Sequence, residues 1–166
     1  MYKSTNDFVA DWKNESESTL KILKALNDSS LSQRVSSEGR TLGFIAWHIV
    51  LTLGEMGGKA GLTIHAPTEN APQPSSASSL SALYEEAARG LSEEVQKKWN
   101  DKMLGEVIEM YGEKWTRAQT LAGLLKHEIH HRAQITVLMR QAGLKVPGVY
   151  GPAKEEWANY GMQPMA

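Results

Sequence analysis

The chain of 166 residues contains no cysteine. That absence removes disulfide frameworks, thiolate nucleophiles and cysteine-based zinc or iron–sulfur sites, so any metal must be held by His, Asp or Glu. Neither sign of charge is in excess. Lys+Arg 18 stand against Asp+Glu 19, a net charge of -1, which argues against non-specific binding to nucleic acid or to an anionic membrane. Long hydrophobic runs are also missing. The most apolar window, Thr41 to Gly54, carries no formal charge, yet it is shorter than the roughly 20 residues a bilayer needs and has His48 inside it. It reads as a buried core helix. Met1 to Glu15 holds no apolar signal core, and the expectation is a soluble cytoplasmic protein with no membrane partner.

Hydrophobic content of 41% with charged content of 22% is that of an ordinary globular chain. The length fits a single domain over residues 1–166 that buries about 70% of its unfolded surface. Four segments carry helical periodicity and none sustains a period-two alternation. The first runs from about Thr5 to Leu26, capped by Ser4 or Thr5, with Phe8, Trp12, Ile22, Leu23 and Leu26 buried. The second runs from about Thr41 to Gly57, where Leu42, Ile45, Ile49 and Met56 share a stripe and Gly57-Gly58 supply a stop. From Gly57 to Ser79 the composition turns to Gly, Pro and Ser, too long for a simple turn, and this stretch reads as a crossover that lets the second and third helices run parallel.

The third helix is expected over about Leu80 to Trp99, on Leu80, Leu83, Ala87, Leu91 and Val95. Asp101 to Trp115 reads as an irregular or extended connection. Thr116-Arg117-Ala118-Gln119 is a capping box that opens the fourth helix, which continues to Gln141 or Ala142 and stops at Gly143. Past Pro147 a turn-rich segment leads to a short helix from Ala153 to Tyr160, with Pro152 suited to its start.

Chemistry concentrates in the fourth helix. At 100° per residue His127 and His131 lie about 40° apart, on the stripe shared with Thr120, Leu124, Ile135 and Leu138. Two imidazoles one turn apart on a buried face can converge on one ion, although H-x-x-x-H alone arises readily by chance. His48, at the margin of the second helix's apolar surface, is the candidate third ligand. His130 falls on the flank and suits a surface or supporting role, and His65 reads as a loop residue. Glu128 could orient a ligand or face a neighbouring helix. Lys126, Arg132 and Arg140 read as outer-face cations, with inter-helix hydrogen bonding as the other reading of Arg132 and of Gln134. Glu55, beyond His48, and Tyr150 are candidate cavity residues, with a solvated helix end and a packing role as the plainer alternatives.

The segment from His127-Glu128-Ile129-His130-His131-Arg132-Ala133-Gln134-Ile135 to Leu138-Met139-Arg140-Gln141-Ala142-Gly143 resembles the last bundle helix of the DinB/YfiT-like metalloenzymes. Thr41-Leu42-Gly43-Phe44-Ile45-Ala46-Trp47-His48-Ile49 is similar to that family's other ligand segment. The resemblance spans the whole chain in organisation, and it departs from the family where Ala133 replaces a common Gly, which bears on local packing and not on the ligands. It implies an all-α four-helix bundle in up-down-down-up order with a long crossover between helices 2 and 3. It further implies metal ligands at His48, His127 and His131, zinc or nickel as the ion, and a homodimer.

Three neutral imidazoles leave an ion's charge uncompensated, so a bound water would be acidified towards a pKa of about 7. The expected function is therefore that of a metal-dependent enzyme acting on a small-molecule substrate. Family resemblance places transfer of a low-molecular-weight thiol such as bacillithiol first and hydrolysis second. The rival from another class is a non-catalytic stress-response or interaction protein whose histidines are structural. No clear basic cluster for an anionic thiol is visible in the sequence.

Overall fold

Ser4 opens the first helix. Its hydroxyl accepts from the backbone N–H groups of Asn6 and Asp7, and α1 (Thr5–Lys24) follows in the computed structural model, which describes residues 1–164. Phe8, Trp12, Ile22 and Leu23 turn inward as their spacing requires, and the Trp12 indole N–H donates to the Ala88 carbonyl at 2.8 Å, so the largest core side chain leaves no polar atom unpaired. The Thr41 hydroxyl caps α2 (Leu42–Lys59). This helix runs through Gly57 and Gly58 instead of stopping there. Gly57 is a packing glycine: a Cβ at that position would lie 2.2 Å from Ile64 Cδ1, so the crossover folds back against bare backbone.

The crossover ends earlier than its serine run suggests. Ser76 caps α3 (Ala77–Lys98), with its hydroxyl accepting from the Ser79 N–H, and the following serines form the first helical turn. After a 3-10 turn at Asp101–Gly105, the connection read as irregular or extended pairs with itself. Strands β1 (Val107–Met110) and β2 (Glu113–Thr116) form an antiparallel hairpin with Val107 opposite Thr116 and Met110 opposite Glu113. Its two-residue turn, Tyr111-Gly112, has φ of 54° and 79°, both positive as a type I′ hairpin demands. Tyrosine there is strained by roughly 1–2 kcal/mol where Gly, Asn or Asp would be at ease. The hairpin escapes sequence reading because its strands are four residues each, Val-Ile-Glu-Met does not alternate, and the turn lacks an Asn-Gly or Asp-Gly signature.

Thr116 begins α4 (Arg117–Gln141) with the anticipated reciprocal cap. Its hydroxyl accepts from the Gln119 N–H at 3.1 Å while Gln119 Oε1 accepts from the Thr116 N–H at 2.6 Å. At the other end Gly143, with φ of 75°, donates to the Arg140 carbonyl, and Leu144 donates to the Met139 carbonyl, the paired bonds of a Schellman stop. The expected C-terminal helix is a 3-10 segment, Lys154–Tyr160. Pro152 precedes its cap Ala153, and the Glu156 carboxylate accepts the N–H groups of Gly148 and Ala153 instead.

Contacts between helix ends fix the directions. The Thr5 N–H donates to Asp101 just past the end of α3, and the Ala77 N–H at the start of α3 donates to Asp28 just past the end of α1, so α1 and α3 are antiparallel. Along α1 and α4, Asp7 and Asp11 lie near Ala122 and Lys126, whereas Thr19 meets Glu128 and Glu15 meets Arg132; the two helices run together. Helix α2 runs against α4, with Ile45 near Leu138 and Thr52 near Gly123. The order is up-down-down-up. Each helix packs on two neighbours, α1 on α3 and α4, and α2 on the same pair. The core between them includes Trp47, Ile49, Leu80, Tyr84, Leu91, Leu121 and Ile135, each large aliphatic contributing about 1.5–3 kcal/mol by leaving water.

Helix α4 carries two of the three candidate ligands, so its start bears on the site. Thr116→Ala removes one half of the cap, and a destabilisation of about 1 kcal/mol is expected, read as a fall of roughly 2–4 °C in thermal unfolding.

Candidate metal centre

Antiparallel packing of α2 on α4 brings the imidazoles of His48, His127 and His131 face to edge, with ring centroids 4.4–4.9 Å apart. Nε2 of His127 lies 3.1 Å from Nε2 of His48 and 3.1 Å from Nε2 of His131. All three donor atoms fall within 4.8 Å of one another, and they could hold a metal ion. The spacing on either side of His127 fits one. Two nitrogens about 2.05 Å from a common zinc stand roughly 3.3 Å apart at a tetrahedral angle and roughly 2.9 Å apart at a right angle, and the observed contacts lie between. Without an ion the cluster is poorly satisfied, since a ring of Nε2 atoms offers lone pairs to lone pairs unless protons are shared between them.

Hydrogen bonding supports the ligand form of His131. Its Nδ1 lies 2.7 Å from Gln134 Oε1, an acceptor, so Nδ1 carries the proton and Nε2 presents its lone pair to the cluster. The Gln134 amide nitrogen in turn faces His130 Nε2 at 3.1 Å. His130 therefore stands behind His131 through Gln134, outside the cluster. Burial holds all three imidazoles below their ordinary pKa. For His48 the charges of His131 and Arg40 add to desolvation; His131 feels His130 and Arg40, opposed by Gln134; His127, against three other histidines, is brought down to about 4. Neutral imidazole is the state that binds metal.

Two cavities border the cluster. One of ≈ 250 Å³ is lined by His48, Thr52, Glu55, Met56, Tyr111, Trp115, Gly123 and His127. Glu55 thus lines the site, and together with burial its charge pushes the Tyr111 hydroxyl up to about 12. The other, of ≈ 530 Å³, is bordered by His130, His131 and Gln134, by the apolar Val35, Ile45, Val137 and Leu138, and by Arg40. The Arg40 guanidinium sits 5.1 Å from the centroid of the Phe44 ring, which stacks on His48 at 6.4 Å. Among the described residues it has no carboxylate partner within salt-bridge distance. His65 stays outside, exposed and 2.6 Å from Glu86.

The opposite face of α4 decides between the two readings of Arg132. It is an inter-helix hydrogen-bonding residue and not an outer-face cation: it is 3% exposed and donates to the Glu15 carbonyl, to Thr19 Oγ1, and at 2.5 Å to both Glu15 Oε2 and the Tyr150 hydroxyl. Tyr150 is not a cavity residue. Its hydroxyl bridges Arg132 and Glu15, pinning the C-terminal segment to α1 and α4. Glu128 faces neighbouring helices and not the cluster, accepting from Thr19 at 2.8 Å and from Tyr84 at 2.7 Å. Tyr84, fully buried, carries no signal in the sequence beyond its place on the α3 stripe. A signal for the network does exist, because Glu128 and Arg132 repeat the one-turn spacing of the histidines, as Glu15 and Thr19 do on α1.

The chain belongs to the DinB family, whose profile matches residues 1–165. It is 42% identical over 163 residues to uncharacterized protein YrdA of Bacillus subtilis strain 168, covering 98% of each chain. The crystal structure of a DinB-like protein from Bacillus cereus ATCC 10987 is 40% identical and superposes with a TM-score of 0.87, over 90% of this chain and 100% of that one. A second DinB-like protein, YjoA of Bacillus subtilis, shares 16% identity and the fold, with a TM-score of 0.68 over 86% of this chain and 97% of that one. No helix of the described residues is long and apolar enough to cross a membrane.

Burial, against the opposing pull of Tyr84, Thr19 and Arg132, raises the Glu128 carboxyl from 4.5 to about 7, and its Oε2 has no partner among the described residues. With the folded pKa above the unfolded one, the native state binds more protons across that window, so stability falls as pH rises from 4.5 through about 7. Glu128→Gln is expected to abolish that decline, measured as urea midpoints of both proteins across the window; parallel curves would show that Glu128 is not its source.

Proposed function

We propose that the chain is a metal-dependent enzyme in which His48, His127 and His131 hold one divalent ion, zinc or nickel, and that it transfers a small thiol such as bacillithiol to an electrophilic small molecule. The observation that carries the reading is the clustering of three imidazole donors within 4.8 Å, with His127 Nε2 at 3.1 Å from both His48 and His131 and with Gln134 placed to hold His131 in its ligand tautomer. When bound, such an ion lowers the pKa of a coordinated thiol and leaves a nucleophilic thiolate at neutral pH. The protein's own residues supply the rest. Depressed imidazole pKa values keep the ligands unprotonated, and the larger cavity beside them offers a partly apolar wall to a small molecule.

Arg40 supplies the cation that the sequence did not reveal. Held against Phe44 beside His48, and without a carboxylate of its own among the described residues, it is placed to take a carboxylate of an anionic thiol. The reading includes a cytoplasmic homodimer, supported by the exposed apolar side chains Val35, Phe44 and Val137 near the same cavity.

Metal content by mass spectrometry on tag-free protein tests the centre. About one ion per chain is expected in the wild type and its loss in His48→Ala, His127→Ala and His131→Ala; a wild type that stays metal-free after reconstitution with zinc and with nickel would make the histidines structural. Arg40→Ala is expected to raise KM for bacillithiol about tenfold with kcat little changed, as loss of one hydrogen bond to a charged group predicts. Water acting as acceptor in the place of the thiol would mark the enzyme as a hydrolase.

A further inference from the structure

His130 stands outside the metal cluster and borders the larger cavity together with His131, Gln134 and Arg40. Its tautomer follows from its neighbours through a chain of donors and acceptors. His131 presents Nε2 to the cluster, so its proton sits on Nδ1 and is donated to Gln134 Oε1 at 2.7 Å. That bond fixes which end of the Gln134 side chain is the carbonyl, and the amide nitrogen at the other end donates to His130 Nε2 at 3.1 Å. A nitrogen that accepts carries no proton, so the neutral His130 ring holds its hydrogen on Nδ1. Among the described residues that Nδ1 meets no acceptor. The cavity also suits an anion by charge. Arg40 lines it and no carboxylate of the described residues does, whereas Glu55 lines the smaller cavity. Both donors flank His131: the His130 ring centroid is 5.1 Å from that of His131, and the Arg40 charge is close enough to hold the His131 pKa down.

We propose that His130 and Arg40 together form the subsite for the acid group of the thiol, His130 Nδ1–H and the guanidinium donating to one carboxylate, so that His130 is a specificity-determining residue selecting thiols that bear an anion. This rests on the thiol-transfer reading above. Two donors of different shape, one an imidazole N–H and one a charged fork, hold a carboxylate in one orientation where a lone cation would leave it free to turn. Gln134 joins this subsite to the metal centre. The ligand tautomer of His131 and the donor tautomer of His130 are the two ends of one hydrogen-bond chain. Reversing Gln134 would place a proton on His131 Nε2 and a lone pair on His130 Nδ1, closing the metal site and the anion subsite together.

The test uses the full-length zinc-loaded protein, labelled with heavy nitrogen at histidine, and its His130→Ala and His130→Asn variants. Nitrogen NMR is expected to show His130 protonated at Nδ1 alone. Methanesulfonate, a monoanion that coordinates zinc poorly, is titrated in and followed on the His131 resonances. Its binding should weaken about tenfold in His130→Ala and stay near that of the wild type in His130→Asn, whose amide N–H stands where Nδ1–H did. Zinc content should not change. In His130→Ala the KM for bacillithiol should rise about tenfold with kcat little changed, while the KM for uncharged mercaptoethanol should not move. His130 protonated at Nε2, wild type that does not bind methanesulfonate, His130→Ala that binds it as the wild type does, or His130→Asn no better than His130→Ala would each overturn the proposal and make His130 a surface residue. Wild type that takes up zinc yet transfers no thiol would defeat the reading beneath it, while the tautomer and the methanesulfonate titration still decide whether His130 belongs to an anion subsite; protein that takes up no zinc overturns both.

Discussion

The arrangement of this protein turns on a contact between like groups. Three imidazole nitrogens on two antiparallel helices stand at hydrogen-bond distance with too few protons to go round. Two buried polar groups facing each other with lone pairs are unfavourable, and the environment makes protonation a poor remedy by drawing all three pKa values down. A cation placed among them satisfies every lone pair at once. The rest of the bundle can be seen as the means of holding that otherwise unfavourable cluster together, with Gln134 fixing one ring and the α2–α4 packing fixing the distance.

Much of this was legible before any coordinates. The 3.6-residue stripes gave four helices, Thr116 and Gln119 gave the start of α4 to the residue, and the interior face of α4 followed from the angular positions of Thr120, Leu124, Ile135 and Leu138. His127 and His131 could be placed on that face because helical phase is a local property. His48 could only be nominated. Whether a residue on one helix meets two on another depends on interhelical register, which no local pattern encodes.

What stayed hidden was hidden for physical reasons. Gly57 resembles a helix stop in sequence and acts as a packing surface in three dimensions, because the information lies in Ile64 arriving from the crossover. Glu128 read as orienting a ligand or facing a neighbouring helix, and Arg132 as a surface or inter-helix residue; each is buried, with partners supplied by α1 and, for Glu128, also by α3. Burial of charge is licensed only by partners distant in sequence, so no local pattern could choose between those readings. The hairpin was too short, and its turn too atypical, for alternation or turn chemistry to announce it.

The two faces of α4 are tied to one another by rigid geometry. Toward α2 the helix presents His127 and His131; toward α1 it presents Glu128 and Arg132, each one position further along. A helix cannot turn one face without turning the other. The hydrogen bonds to Thr19, Glu15 and Tyr84 therefore act as a key in a slot, setting the azimuth of α4 and with it the aim of two imidazoles those residues never touch. Substitutions at Glu15 and Thr19 on α1 can accordingly misalign the histidine cluster from the far side of the bundle.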